Sequence, residues 1–130
     1  MRSSPSCTAL IIADHVHRDS ASGRWHIIGT MDAILCQSLP SEAVIGIYFV
    51  LSGFECGDHN VLVRVVEIGR DQVCSASFDV TFNDITRGEF HFGENLITTF
   101  DHVGDYLVEV LVDGEIMNYR PLKVMEVEAE

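Results

Sequence analysis

Three histidines near the start of the chain could bind a metal ion together. His15 and His17 are two residues apart, so on a β-strand they share one face. A turn at residues 20–23 would place His26 opposite His17 on the next strand. Three imidazoles on adjacent strands could hold Zn²⁺. Their spacing matches no strong metal motif, so a metal site is the alternative to a solvated histidine patch.

The other histidines, His59, His91 and His102, are scattered along the sequence. A catalytic histidine needs a nucleophile and an orienting acid nearby, and the chain contains no G-x-S-x-G nucleophile motif. No glycine-rich loop follows a strand and opens a helix, which argues against a nucleotide site. We therefore expect no enzyme activity and no cofactor.

Trp25 lies beside the histidine group and is a candidate contact residue for a protein partner. Tryptophan is enriched at the energetic centres of protein interfaces. The alternative is that this ring covers one end of the hydrophobic core.

Charge and length limit the class of protein. The chain has 130 residues, which is a usual size for one domain, and 47% of them are hydrophobic. The net charge of −12 argues against nucleic acid and anionic membranes as partners, since both require Lys and Arg. No apolar run is long enough for a transmembrane helix. We expect a cytoplasmic protein.

The four cysteines contain no C-x-x-C pair, which argues against a zinc knuckle or a thioredoxin-like motif. Cys74 lies on an apolar strand face and is predicted to be a small core residue. Cys36 and Cys56 lie near predicted strand ends and could form a disulfide only in an oxidising compartment.

The strongest structural signal is a β-hairpin near the end of the chain. Apolar residues alternate along 106–112, and Asp113-Gly114 is a preferred pair for a type I′ turn. Such a turn predicts that the two arms pair Val112 with Glu115, Val110 with Met117 and Val108 with Tyr119. The core-facing residues of this hairpin are then predicted to be Val108, Val110, Met117 and Tyr119.

Two further residues of this hairpin carry predictions. Pro121 cannot donate to a strand ladder, so we expect a bulge, an edge position or a change of sheet there. Gly104-Asp-Tyr106 resembles the tyrosine corner of immunoglobulin-like domains, in which the hydroxyl bonds back to the upstream backbone.

The rest of the chain also predicts strands, with no helical period of useful length. Residues 72–82 alternate most cleanly, with the even-numbered positions from Cys74 to Phe82 facing the core. The apolar run 43–51 predicts a central strand covered on both faces. The other predicted strands are about 7–18, 24–35, 59–68, 90–92 and 96–100, with a loop at 83–89.

Eight or nine short strands with turns between them predict an all-β fold, an antiparallel two-sheet sandwich that is immunoglobulin-like or a related Greek key. The predicted domain covers residues 7–125. A flexible lead-in at 1–6 precedes it, and an acidic tail at 126–130 follows it.

Two groups of residues resemble those of a family of small uncharacterised bacterial proteins. The first group runs from Ala13-Asp14-His-Val16 through Gly23 to Ile28-Gly29-Thr-Met-Asp-Ala-Ile34. The second joins Gly104-x-Tyr106, Asp113-Gly114 and Pro121-Leu-x-Val124. The resemblance implies a β-sandwich and assigns no activity and no catalytic residue.

The function expected from the sequence is a non-catalytic binding or assembly module that contacts a protein partner or a second copy of itself. The long hydrophobic strands carry more apolar surface than one exposed sheet face suits, and a homodimer through a sheet face or edge would cover it. The alternatives are a metal-binding protein or metal-dependent enzyme that uses His15, His17 and His26, and a sandwich or barrel with an interior ligand cavity.

Overall fold

The computed structural model describes residues 4–83 and 89–128, which form nine β-strands. Within those residues no helix is long and apolar enough to cross a membrane. The middle of the loop predicted at 83–89 lies outside the described residues. The strands are β1 (Ser6–Arg18), β2 (Trp25–Thr30), β3 (Ala33–Cys36), β4 (Ser41–Ser52), β5 (Gly57–Glu67), β6 (Gln72–Phe82), β7 (Glu89–Phe100), β8 (Gly104–Val112) and β9 (Glu115–Glu126).

The strands form two sheets, as predicted. Sheet A has the order β2-β1-β4-β7, and sheet B has the order β3-β9-β8-β5-β6. Every pairing is antiparallel except that of β3 with β9, which is parallel. The two-sheet sandwich is confirmed, and sheet B is mixed where the sequence predicted a purely antiparallel arrangement.

The core lies between the sheets and comes from alternating residues. In sheet B, Val63 and Val110 are register partners on β5 and β8, and both are fully buried. In sheet A, β4 contributes Ile45, Ile47 and Phe49, which are also fully buried. Because side chains alternate between the two faces of a strand, one residue in two packs into this layer.

The prediction for β6 is confirmed along its whole length. Cys74, Ala76, Phe78 and Val80 pack against the core, and Phe82 is fully buried. The odd-numbered residues between them are exposed. The predicted strand at 43–51 is central, as β4 lies between β1 and β7, but its outer face is only partly covered.

The hairpin of β8 and β9 has the predicted turn and a different register. Val112 pairs with Glu115 as expected, but a bulge follows, and Val110 pairs with Asn118 where Met117 was predicted. One extra residue in β9 reverses the faces of the strand beyond it. Tyr119 is consequently 59% exposed, so its predicted place in the core is wrong.

The other core predictions for this hairpin have mixed outcomes. Val108 and Val110 are fully buried, and Met117 packs against the core from a half-buried position. The bulge lies before Pro121 in the sequence. Pro121 stands just before Lys123, where pairing of β9 with β3 begins.

The predicted strand at 24–35 is two strands in different sheets. β2 ends at Thr30, and β3 begins at Ala33 beside β9. Backbone bonds mark the crossing, since Met31 N–H donates to the Ile12 carbonyl and Lys123 N–H donates to the Asp32 carbonyl. The segments predicted at 90–92 and 96–100 are parts of the single strand β7.

The tyrosine corner is present. The Tyr106 ring is fully buried, and its hydroxyl donates to the His102 carbonyl at 2.5 Å. Burial, followed by the nearby Glu67 carboxylate, raises the pKa of the Tyr106 hydroxyl, so it stays a hydrogen-bond donor at neutral pH. This bond holds the β7–β8 connection against the start of β8.

Candidate functional site

The first hairpin, residues 14–30 of β1 and β2, crosses the outer face of sheet A. Pairing of β1 with β4 ends at Ala13, and the chain beyond it passes over Gly46 of β4. A Cβ atom at Gly46 would lie 3.0 Å from the backbone of His15 and Val16. Gly46 therefore leaves the space that lets one strand rest directly on another.

Two residues of β7 also contact this hairpin. The Asn95 side-chain amide accepts from Val16 N–H at 3.0 Å and donates to the Val16 carbonyl at 2.8 Å. The Trp25 ring lies over Gly93, where a Cβ atom would come within 2.4 Å of a ring carbon. Val16, on the side that faces the sheet, is 1% exposed.

The three predicted site histidines lie on the opposite, solvent-exposed face of this hairpin. His17 pairs with His26, as the sequence predicted. The His17 and His26 rings are stacked, with centroids 4.9 Å apart and planes at 9°, and the His15 ring lies 5.4 Å from His17. Within residues 4–83 and 89–128, no group of three His, Cys, Asp or Glu side chains is arranged to hold a metal ion. Metal binding at these histidines stays a prediction.

Trp25 is half-buried between the first hairpin and sheet A. Its ring centroid lies 5.9 Å from that of Tyr48, which projects from β4 between the hairpin and β7. Tyr48 in turn shares a hydrogen bond with His91 Nδ1, and His91 Nε2 lies 3.6 Å from a Glu89 carboxylate oxygen. Burial, and then the charge of Glu89, raises the pKa of the Tyr48 hydroxyl.

A second histidine–carboxylate pair lies where β5 begins. His59 Nδ1 is 2.7 Å from Asp113 Oδ2, and His59 Nε2 is 2.9 Å from the Glu55 carbonyl. Both partners are acceptors, so a doubly protonated imidazole satisfies both contacts. The other Asp113 oxygen accepts from Asn60 N–H at 2.9 Å. The pair ties the β8–β9 turn to β5.

A third pair closes the opposite end of β5. The Glu67 carboxylate is buried and lies 3.2 Å from Arg70 Nε and 3.1 Å from His102 Nδ1. These residues, together with Asp71 and Asp101, line an open depression at this end of the sandwich. Glu67 thus holds the β5–β6 turn and the β7–β8 connection together.

The sequence did not reveal that each scattered histidine contacts a carboxylate. His59 is 54 residues from Asp113, and His102 is 35 residues from Glu67, so only the fold brings these two pairs together. His91 and Glu89 are two residues apart on β7. In the part of the chain that the structure describes, every buried side-chain nitrogen or oxygen has a hydrogen-bond partner. These contacts fasten turns and strand ends to the sheets.

Large apolar side chains remain exposed as neighbours on adjacent strands. Val44 of β4 and Ile97 of β7 are register partners and are 45% and 68% exposed. Leu35 and Met125, on β3 and β9, are also register partners and also exposed. Apolar side chains exposed singly need no explanation, whereas large contiguous patches are typical of contact surfaces.

Strand order and the tyrosine corner define the class of protein. In sheet A, β1, β4 and β7 follow the A-B-E order of immunoglobulin domains, and in sheet B, β9, β8, β5 and β6 follow G-F-C-C′. The molecule is an immunoglobulin-like β-sandwich. Residues 8–125 match DUF6941, a family of unknown function, and the chain belongs to this family. The predicted bacterial source of the family stays a prediction.

Two solved structures are similar to the chain at 12% sequence identity. One is the Pseudomonas fluorescens alkylpurine DNA glycosylase AlkC bound to DNA that contains an abasic site analog, with a TM-score of 0.49 over 95% of this chain. The chain spans only 31% of the glycosylase chain. The other is an immunoglobulin-like protein from Pseudomonas aeruginosa, with a TM-score of 0.40 over 95% of this chain and 98% of that one. No curated protein matches the chain.

Proposed function

We propose that the protein is a non-catalytic assembly module that binds a second copy of itself. The observation that carries this proposal is the set of large apolar side chains left exposed as register neighbours, Val44 with Ile97 and Leu35 with Met125. Burying such surface is the main favourable term in protein association. A partner surface of similar chemistry would remove it from water.

The engagement of the histidines supports a role without catalysis. Both ring nitrogens of His59 face acceptors, and His102 contacts Glu67 through Nδ1 and Arg70 through Nε2. A general base needs a nitrogen that can reach the proton of a nucleophile. The contacts of these two imidazoles instead hold turns against the sheets.

The net charge sets the conditions under which self-association is expected. Two copies carry −12 each, so they repel one another at long range. Salt screens this repulsion, with a Debye length of about 8 Å near 0.15 M, whereas apolar burial is little affected. We therefore expect the dimer to be tighter at higher ionic strength.

Sedimentation velocity over a range of protein concentrations tests the proposal. At about 0.15 M salt, we expect the weight-average mass to rise from one chain to two as concentration increases through the micromolar range. The same series at low salt should be shifted to higher concentrations. A protein that stays monomeric at high micromolar concentration in both buffers would refute the proposed function.

A further inference from the structure

We propose that two copies join face to face through the outer side of sheet B. This inference rests on the self-association proposed above and names the surface that mediates it. Of the two exposed apolar pairs that carry that proposal, Leu35 with Met125 lies on this side of sheet B, and Val44 with Ile97 lies on sheet A. We call the outward-facing residues of β3, β9, β8 and the segment 62–68 the B face.

Two rows of side chains across the B face are wholly apolar. Register partners point to the same side of a sheet, and the residues that alternate with these rows, such as Val63 and Val110, are buried in the core. Both rows therefore point outward from β5, β8 and β9. The rows consist of Leu62, Leu111 and Ile116, and of Val66, Leu107 and Pro121. Large apolar patches are typical of contact surfaces.

An ion pair lies between the two apolar rows. Arg64 Nε is 2.7 Å from Glu109 Oε1, and only 10% of the Glu109 side chain is exposed. Tyr119, the register partner of Glu109 on β9, completes this middle row and is 59% exposed. Because the two charges neutralise each other within one chain, a partner surface can cover them without burying an unpaired charge.

The charges of the B face cancel, although the whole chain carries −12. Among the residues that the structure describes, the charged side chains of this face are two bases and two acids, Arg64, Lys123, Asp105 and Glu109. Two further acids, Asp58 and Asp79, lie outside it at one corner of sheet B, on the first part of β5 and on β6. This cancellation favours a second copy over a nucleic acid or a strongly basic protein, each of which requires a charged surface.

Two-fold symmetry makes the B face complementary to itself. β9 and β8 are the middle strands of the order β3-β9-β8-β5, so a two-fold axis that runs along the strands between them lays β8 of one copy over β9 of the other and β3 over β5. Asp105 and Lys123 are register partners, so each then faces the opposite charge on the second copy. The exposed Leu35 then lies near the exposed Ile68 of the second copy, because Ile68 N–H donates to the Asp105 carbonyl.

Two serine variants with the same net charge distinguish the B face from sheet A. Leu35 and Ile97 are 60% and 68% exposed, and they lie on β3 and β7, which are end strands of the sheets that the structure describes. Leu35→Ser and Ile97→Ser both remove exposed apolar surface and keep the net charge at −12. In a two-fold contact each substitution occurs twice, so we expect Leu35→Ser to weaken the dimer by about tenfold in Kd. Ile97→Ser should leave the Kd within about twofold of the wild type.

Sedimentation velocity measures both dissociation constants, and circular dichroism checks that both variants fold. A dimer that Ile97→Ser weakens and Leu35→Ser does not would overturn the contact through the B face and leave self-association intact. A dimer that neither variant weakens would do the same. A wild-type protein that stays monomeric would instead overturn the proposed function itself.

A charge reversal tests the two-fold arrangement of the B face. Lys123→Glu sets an acid against Asp105 of the second copy and changes the net charge from −12 to −14. Arg24→Glu makes the same change of net charge at an exposed position before β2, away from the B face. We expect Lys123→Glu to weaken the dimer about fivefold more in Kd than Arg24→Glu does. The double variant Lys123→Glu/Asp105→Lys has a net charge of −12 again and should return the Kd to within about twofold of the wild type. A double variant that dimerises as weakly as Lys123→Glu would overturn the proposed contact.

Discussion

The two ends of β5 are fastened by histidine–carboxylate pairs that bury opposite partners. At the end of β5, the Glu67 side chain is 11% exposed and His102 is 46% exposed. At its start, the His59 side chain is 14% exposed and Asp113 is 53% exposed. One end therefore buries the acid and the other buries the imidazole.

This difference shows that similar side chains can fasten a strand end in two ways. At the Glu67 end, Glu67 contacts Arg70 and His102, and Tyr106 also donates a neutral hydrogen bond to the His102 carbonyl. This hydrogen bond does not require a charged histidine. At the His59 end, the best hydrogen bonding requires a protonated ring, because both nitrogens face acceptors. The stability of the His59 end should therefore depend more strongly on pH than that of the Glu67 end.

The largest effect is expected at the tyrosine corner. Tyr106→Phe keeps the buried ring and leaves the His102 carbonyl without this donor. We expect the free energy of unfolding to fall by roughly 1–3 kcal/mol, as for other buried hydrogen bonds that lose one partner. Urea denaturation measures this change, and an unchanged midpoint would show that the hydroxyl does not fasten this end.

A smaller effect is expected from Asp113→Asn. Asn tolerates the positive φ of 52° at this position and can still accept from Asn60 N–H. The variant therefore removes mainly the charge next to His59. Because Asp113 is exposed, we expect a loss of at most about 1 kcal/mol in urea denaturation. A loss larger than that of Tyr106→Phe would reverse the order of the two ends.

The smallest effect is a pH dependence that arises from His59. Burial lowers the pKa of His59, but hydrogen bonds to Asp113 and to the Glu55 carbonyl outweigh it and raise the pKa above its usual 6.5. Hydrogen bonds from Asn60 N–H and from His59 lower the pKa of Asp113 below its usual 3.8.

The signs of these shifts define a pH window. The contribution of His59 is complete below pH 6.5 and is lost as the pH rises through its folded pKa. The contribution of Asp113 is present above pH 3.8 and is lost as the pH falls through its folded pKa. The difference in stability between the wild type and His59→Gln should be largest between these values and should shrink in alkaline buffer. His15→Gln, which changes an exposed histidine on the outer face of the first hairpin, serves as the control. A difference that grows with pH would contradict the assignment.

The sequence was most informative where one strand is half-exposed and regular. The alternation from Cys74 to Phe82 and the Asp113-Gly114 turn both predicted the observed structure. The register beyond the turn was wrong, because a bulge adds one residue without a glycine or proline to mark it. The break between β2 and β3 was also missed, since β3 pairs with a strand about ninety residues later.

The candidate sites were less predictable, because they depend on contacts between distant strands. β7 was predicted as two pieces, since Gly93, Glu94 and Asn95 interrupt its apolar pattern. Two of these residues instead hold the first hairpin, through the Trp25 ring and the Val16 backbone. The residues that made β7 hard to predict as one strand are therefore the ones on which the first hairpin rests.

The contacts of the first hairpin with sheet A restrict which residues relatives of this chain can carry at positions 46 and 93. A methyl group at residue 46 would meet backbone, and one at residue 93 would meet an indole ring. Relatives that keep this crossing are expected to keep glycine at both positions. A relative that has lost glycine at both 46 and 93 is therefore expected to leave the outer face of sheet A uncovered by the hairpin.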